Sequence, residues 1–174
     1  MRYEFPQSQN RYDANWLMIR TRLVFRQQEF SDVSPSLEAG DIIRIAVWLE
    51  DLSNRRLPEC VCLGFTEPNL RFEIFRATDD FVCIGVRMSL ESQPPFKTGG
   101  IRDETVCQFQ LSDAQLDAHA QQFRAIADNF PVRQLSQGET PAKRPAKGME
   151  PQFAAHALGQ MRRRFGTKGS RPFH

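Results

Sequence analysis

The sequence lacks the features that mark membrane-spanning and secreted proteins. It contains no run of about 18 apolar residues, which excludes a transmembrane helix. Its first residues, Met1–Pro6, lack the apolar stretch of a secretory signal peptide. We therefore expect a cytoplasmic protein.

Motifs that mark common enzyme classes are also missing. The chain has no G-x-G-x-x-G, no Walker loop, no G-x-S-x-G and no H-E-x-x-H. Its only histidines are His119, His156 and His174, and the last two lie near the C-terminus. No acid or nucleophile lies at a suitable spacing from His119. We therefore predict that His119 packs against the core or lies at its edge, and that it is not a catalytic base. The sequence thus predicts a protein without catalytic residues and without a cofactor.

Cysteine is scarce, and its spacing does not favour a metal site. The four cysteines are Cys60, Cys62, Cys83 and Cys107, and all fall in predicted strands. In a reducing compartment such cysteines are usually small buried hydrophobes. Cys60 and Cys62 share one face of a strand, but zinc sites usually take a C-x-x-C pair, which is absent. We therefore predict no metal site.

Charge is distributed unevenly along the chain. Residues 1–133 carry 15 Lys and Arg against 19 Asp and Glu, a net charge of −4. Residues 134–174 carry 8 against 2, a net charge of +6. Such asymmetry suggests that the basic part has partners of its own. We predict one domain over residues 1–131 and a basic, disordered or partly helical extension over residues 132–174.

The extension contains a short amphipathic pattern. Apolar residues recur every four positions, at Phe153, Ala157, Met161 and Phe165. The basic residues near them are candidates for binding a nucleic acid or an anionic surface, namely Arg162, Arg163, Arg164 and Lys168. The alternative is a solvated extension without a partner.

The first 131 residues alternate between strand and helix patterns. A meander of three strands is predicted, with turns at Glu67-Pro68-Asn69 and Thr78-Asp79-Asp80, over Val61–Phe65, Leu70–Phe75 and Phe81–Leu90. Further strands are predicted over Tyr3–Pro6, Asn15–Phe30 and Thr105–Leu111, and loops over Ser31–Gly40 and Glu91–Glu104. Arg20, Arg22 and Arg26 lie on one face of the long strand, either as a basic binding stripe or as a solvated face paired with acidic neighbours.

Two helices are predicted, over about residues 41–53 and 113–130. The first has an apolar stripe at Ile42, Ile45, Ala46, Leu49 and Leu52. Trp48 lies off the centre of that stripe, so we expect it at the edge of the core or at an interface. The second begins with the capping box Ser112–Gln115 and ends before Pro131. The fold class is therefore α+β, with a mainly antiparallel sheet of about five to six strands and two packed helices.

Four segments resemble a known family. They open the long strand, close each helix and form the first meander turn: Asn15-Trp16-Leu17, Val47–Leu52, Phe65–Phe72 and Asn129-Phe130-Pro131. In their order and spacing the chain resembles the WapI-type immunity proteins of bacterial contact-dependent and polymorphic toxin systems, and related small uncharacterised bacterial proteins.

The resemblance implies a non-catalytic protein that binds and neutralises a cognate toxin domain inside the cell. It supplies no motif-defined toxin contacts; our candidates for partner binding are Glu67, Asn69 and Trp48, of which Glu67 and Asn69 also have a role in the turn. Two other functions stay open. One is a nucleic-acid-associated protein that binds through the basic extension, and the other is a small-ligand enzyme with a cleft under the 91–104 loop.

Overall fold

The computed structural model describes residues 1–10, 13–96 and 104–134, and in these ranges the strands form two antiparallel sheets. The first sheet contains β1 (Arg2–Tyr3), β2 (Trp16–Phe25) and β3 (Gln28–Glu38), in that order. The second contains β4 (Cys62–Gly64), β5 (Leu70–Ala77), β6 (Val82–Met88) and β7 (Thr105–Leu111), also in chain order. Helix α1 (Ala39–Ser53) connects the sheets, a short 3-10 helix (Leu90–Ser92) follows β6, and α2 (Asp113–Asn129) follows β7.

These elements confirm the α+β class, the antiparallel pairing and the two helices. The described strands divide into sheets of three and four, where the sequence predicts one sheet of about five to six. Helix α1 lies between the two sheets in the chain and contributes to a core that residues of both sheets share. Its predicted stripe is buried, and it shares one core with Leu17, Ile19 and Leu37 of the first sheet and with Leu63, Leu70, Ile74, Val82, Ile84 and Met88 of the second.

The predicted loop over Ser31–Gly40 is wrong, because most of this stretch is β3. The predicted long strand over Asn15–Phe30 breaks after Phe25, and the chain reverses through Arg26 and Gln27. Both turn residues have positive φ, 46° and 67°. Two-residue hairpin turns of this kind normally contain Asn or Gly, which tolerate such angles. The sequence therefore carries no turn signal at this position.

Both helices begin at reciprocal capping contacts. In α2 the capping box is confirmed: Ser112 Oγ accepts from the backbone N–H of Gln115 at 3.3 Å, and Gln115 Oε1 accepts from that of Ser112 at 2.9 Å. Helix α1 begins at Ala39, two residues before the predicted start, because Glu38 is its N-cap. The Asp41 carboxylate accepts the Glu38 backbone N–H at 3.0 Å, which satisfies a donor at the helix start.

An ion pair joins the two helices, in addition to their apolar contact. Arg124 Nε and Nη2 donate to the two carboxylate oxygens of Glu50 at 2.6 and 2.7 Å. This hydrogen-bonded contact with Arg124 holds the pKa of Glu50 below its ordinary value. The pair therefore stabilises the fold above the pKa of an unfolded glutamate, and the stabilisation disappears as the pH falls through the lowered value of the folded chain.

We expect Glu50→Gln to lower the free energy of unfolding by up to about 1 kcal/mol at neutral pH, since both side chains are partly solvated. The difference from the wild type should shrink as the pH falls from about 5 through the lowered pKa of the folded chain, because the wild-type carboxylate becomes protonated. Urea unfolding of both chains across this range measures it. A loss that is the same at neutral and acidic pH would show that the charge of Glu50 is not responsible.

Candidate functional site

Of the three residues predicted to bind a partner, Glu67 and Asn69 lie in the turn between β4 and β5, and Trp48 lies on α1. Trp48 is 3% exposed; its indole Nε1 donates to the backbone oxygen of Cys60 at 2.8 Å. Its ring meets Phe72 edge-to-face at a centroid distance of 6.5 Å, and Phe72 meets Phe65 at 5.8 Å. Phe65 immediately precedes the turn, so an aromatic chain connects Trp48 to it.

Asn69 is buried within that turn, and Glu67 is half-exposed beside it. The backbone oxygen of Asn69 accepts from Ser89 N at 3.0 Å. The amide Oδ1 of Asn69 has no hydrogen-bond partner among the described residues. Of the three candidates, only Glu67 therefore offers a side chain to solvent. Their contact with a partner stays a prediction.

The turn is held at both ends by hydrogen bonds. Thr66 Oγ1 donates to Glu38 Oε1 at 3.1 Å, which joins the turn to the start of α1. Ser89 Oγ donates to the backbone oxygen of Pro68 at 2.6 Å, which joins it to the end of β6. Arg44 of α1 donates to the backbone oxygen of Gly64 at 3.2 Å. These contacts fix the position of Glu67 relative to the core.

The face of the four-stranded sheet that points away from the core carries a chain of ion pairs, which the sequence analysis missed. Arg87 pairs with Glu73 at 2.5 Å and with Glu104 at 3.1 Å, and Arg71 approaches Glu104 at 3.7 Å. The signal was present, because Glu73, Arg71 and Arg87 occupy alternate positions on strands joined by a short turn. Within this group of ion pairs the charges of the two arginines and the two glutamates balance.

The arginines of the β2–β3 hairpin are partly paired, as one of the two interpretations predicts. Arg22 makes two hydrogen bonds to Glu29 across the hairpin, at 2.8 and 3.0 Å. This contact raises the pKa of Arg22 and lowers that of Glu29. The guanidinium of Arg26 lies over the ring of Phe25 at 5.1 Å. Arg20 is exposed opposite Val33.

The thiols and the histidine do not form a reactive group. Burial raises the pKa of all four cysteines, which keeps the less reactive thiol form at neutral pH. Cys60 lies just outside β4, contrary to its predicted place in a strand. His119 is exposed, with Nδ1 3.4 Å from Gln122 Oε1. Within residues 1–10, 13–96 and 104–134 no three His, Cys, Asp or Glu side chains cluster as metal ligands would.

Some predicted features fall on residues outside the described ranges. They are the basic candidates Arg162, Arg163, Arg164 and Lys168, and most of the extension over residues 132–174. Residues 97–103 of the predicted 91–104 loop also fall outside them. None of the described helices is long and apolar enough to cross a membrane.

A family model matches the part of the chain that contains both sheets and both helices. The model describes the immunity protein WapI-like family, and it matches residues 1–131. The chain belongs to this family. No curated protein and no solved structure matches the WapI-like chain significantly. The family match includes Trp48, Glu67 and Asn69, and it ends before the basic extension begins.

Proposed function

We propose that the chain is a non-catalytic immunity protein that binds a cognate bacterial toxin domain in the cytoplasm and blocks it. The observation that carries the proposal is the match to the WapI-like immunity family over residues 1–131. The sequence agrees with it, because residues 1–133 contain one histidine and no G-x-G-x-x-G, Walker, G-x-S-x-G or H-E-x-x-H motif. Binding, rather than chemistry, is the activity that such a chain supports.

The net charge of residues 1–133 favours a basic toxin. Residues 1–133 have a formal charge of −4. Toxins that act on nucleic acids need a basic surface to hold the phosphate backbone, and an acidic inhibitor attracts such a surface and speeds association. We therefore propose a polymorphic toxin with a nucleic-acid-directed domain as the partner. The association rate should fall as salt is added, because exposed charges are screened.

We place the toxin contact at the turn between β4 and β5. Glu67 is its half-exposed acidic residue, Asn69 is buried within the turn, and Trp48 is linked to it through Phe72 and Phe65. The hydrogen bonds of Thr66 and Ser89 hold this turn in one position before any partner binds. A contact that is already ordered loses less conformational entropy on binding, which favours affinity.

The test uses the full chain and the toxin domain encoded beside its gene. Co-expression should restore growth of cells that produce the toxin domain, and the two purified proteins should form a stable complex. A chain that neither binds this domain nor protects the cells would contradict the proposal.

Two variants that change the charge by the same amount, at different positions, test where the contact lies. Glu67→Lys should weaken the complex about tenfold or more, because it places a positive charge against a basic partner. Asp117→Lys makes the same change on the exposed side of α2, where it should alter affinity only slightly. Calorimetry measures both. Equal losses would show that net charge, and not the Glu67 turn, determines binding.

A further inference from the structure

Strand β7 ends the order of the four-stranded sheet. All seven of its residues pair with β6, from Thr105 opposite Met88 to Leu111 opposite Val82. No other described strand pairs with it. Its second edge therefore presents backbone donors and acceptors that no described strand satisfies.

Within the strand itself, β7 lacks the charges, the proline and the bulge that natural proteins use to prevent strand pairing. The sequence Thr-Val-Cys-Gln-Phe-Gln-Leu contains no charged residue and no proline, and its register with β6 shows no bulge. Gln108, Phe109 and Gln110 are all exposed, and Phe109 retains 47% of its surface. Because neighbouring side chains point to opposite faces, three exposed residues in succession mean that solvent reaches both faces here.

The two acidic residues that flank β7 in the described ranges are both paired within the chain. Glu104, just before the strand, pairs with Arg87 at 3.1 Å. Asp113, just after it, accepts from Arg55 Nε at 2.8 Å. The described part of this edge, from Glu104 to Asp113, thus carries no uncompensated charge, whereas residues 1–133 have a net charge of −4.

An uncharged edge fits a copy of itself better than it fits a basic partner. In a two-fold pair of antiparallel strands, residues near the axis face their own equivalents, so any charge there would meet the same charge. With the axis at Gln108, Cys107 lies opposite Phe109 of the second copy, and Thr105 lies opposite Leu111. Both matched pairs lie on the core side of the sheet, so the apolar surface continues across the junction.

We propose that β7 pairs with β7 of a second copy of this chain, with Gln108 on the two-fold axis, so that two four-stranded sheets become one eight-stranded sheet. The pairing would satisfy the outer backbone groups of both strands and cover Phe109. It does not depend on the toxin-binding function, since it uses a different surface from the Glu67 turn.

Charge substitutions at the axis test the proposal. Sedimentation velocity of the full chain should show a concentration-dependent dimer. Gln108→Lys and Gln108→Glu should each raise its dissociation constant about tenfold or more, because like charges then face each other. An equal mixture of the two variants should restore the dimer, because opposite charges meet. Gln28→Lys, at an exposed site in β3, should leave dimerisation unchanged.

Hydrogen exchange of the wild-type chain gives a second measurement that needs no substitution. Outward-facing amides of β7 should become protected as the concentration rises. If the wild-type chain stays monomeric, the proposal is overturned. This holds even if Gln108→Lys weakens binding of the chain to some other protein, because the edge would then serve that protein and not a second copy. A dimer that forms equally well with Gln108→Lys overturns it too, since the pairing would then lie elsewhere.

Discussion

Trp48→Ala is expected to lower the free energy of unfolding by about 3–5 kcal/mol, the usual range for removing a fully buried tryptophan. The indole is 3% exposed, packs edge-to-face on Phe72 and donates to the Cys60 backbone oxygen. Alanine would leave a cavity beside α1 and an unsatisfied carbonyl. Chemical denaturation of the full chain measures the loss.

Val47→Ala is the control for this substitution. Val47 neighbours Trp48 on α1 but is 41% exposed, so its truncation should cost less than about 1 kcal/mol. Trp48→Phe should keep most of the packing while it removes the Nε1 donor, so its loss should fall between the two. A Trp48→Ala loss no larger than that of Val47→Ala would contradict the burial of this side chain.

The same variants separate the structural role of Trp48 from toxin binding. Because the side chain is buried, Trp48→Phe should change toxin affinity little where the chain is fully folded. Glu67→Lys should show the reverse pattern. It should lower toxin affinity strongly and change the free energy of unfolding little, since Glu67 is half-exposed. If folded Trp48→Phe binds the toxin much more weakly than the wild type does, the shape of the turn depends on the indole.

The helices could be predicted from the sequence because their signals are local. The capping box of Ser112 and Gln115 needs only residues three apart, and the α1 stripe repeats with the helical period. Strand β3 could not be predicted, since the Arg26-Gln27 turn contains neither Asn nor Gly. The bulge in β5, where the register shifts between Ile74 and Arg76, likewise has no signal in the sequence.

The candidate surfaces were less predictable than the fold, because surfaces depend on contacts between distant residues. Trp48 lies off the centre of the apolar stripe, yet it is buried because the segment before β4 approaches α1 and accepts its N–H. The edge of β7 could be found only after the strand order was known, since an uncharged strand is equally suited to the centre of a sheet. Periodicity identifies residues that face the core; it does not identify what covers the remaining faces.

Leu116→Ala is expected to lower the free energy of unfolding by about 2–5 kcal/mol, with its first effect on α2. Leu116 and Ala120 are the two buried residues of this helix, and Leu116 is fully inaccessible. The other members of its apolar stripe, such as Phe123 and Ile126, are only partly buried. Leu116 is therefore the large side chain of α2 that is most deeply buried in the core, and the Arg124–Glu50 pair adds a polar contact between the helices.

Leu57→Ala makes the same chemical change at a site that is 37% exposed, and it should cost less than about 1 kcal/mol. Urea unfolding gives the total loss for each variant, and hydrogen exchange shows where it begins. If α2 detaches first, its amides should lose protection in Leu116→Ala before those of β5 and β6 do, because local opening is then easier than global unfolding. Equal losses from the two leucine variants would mean that α2 does not depend on Leu116 for its attachment.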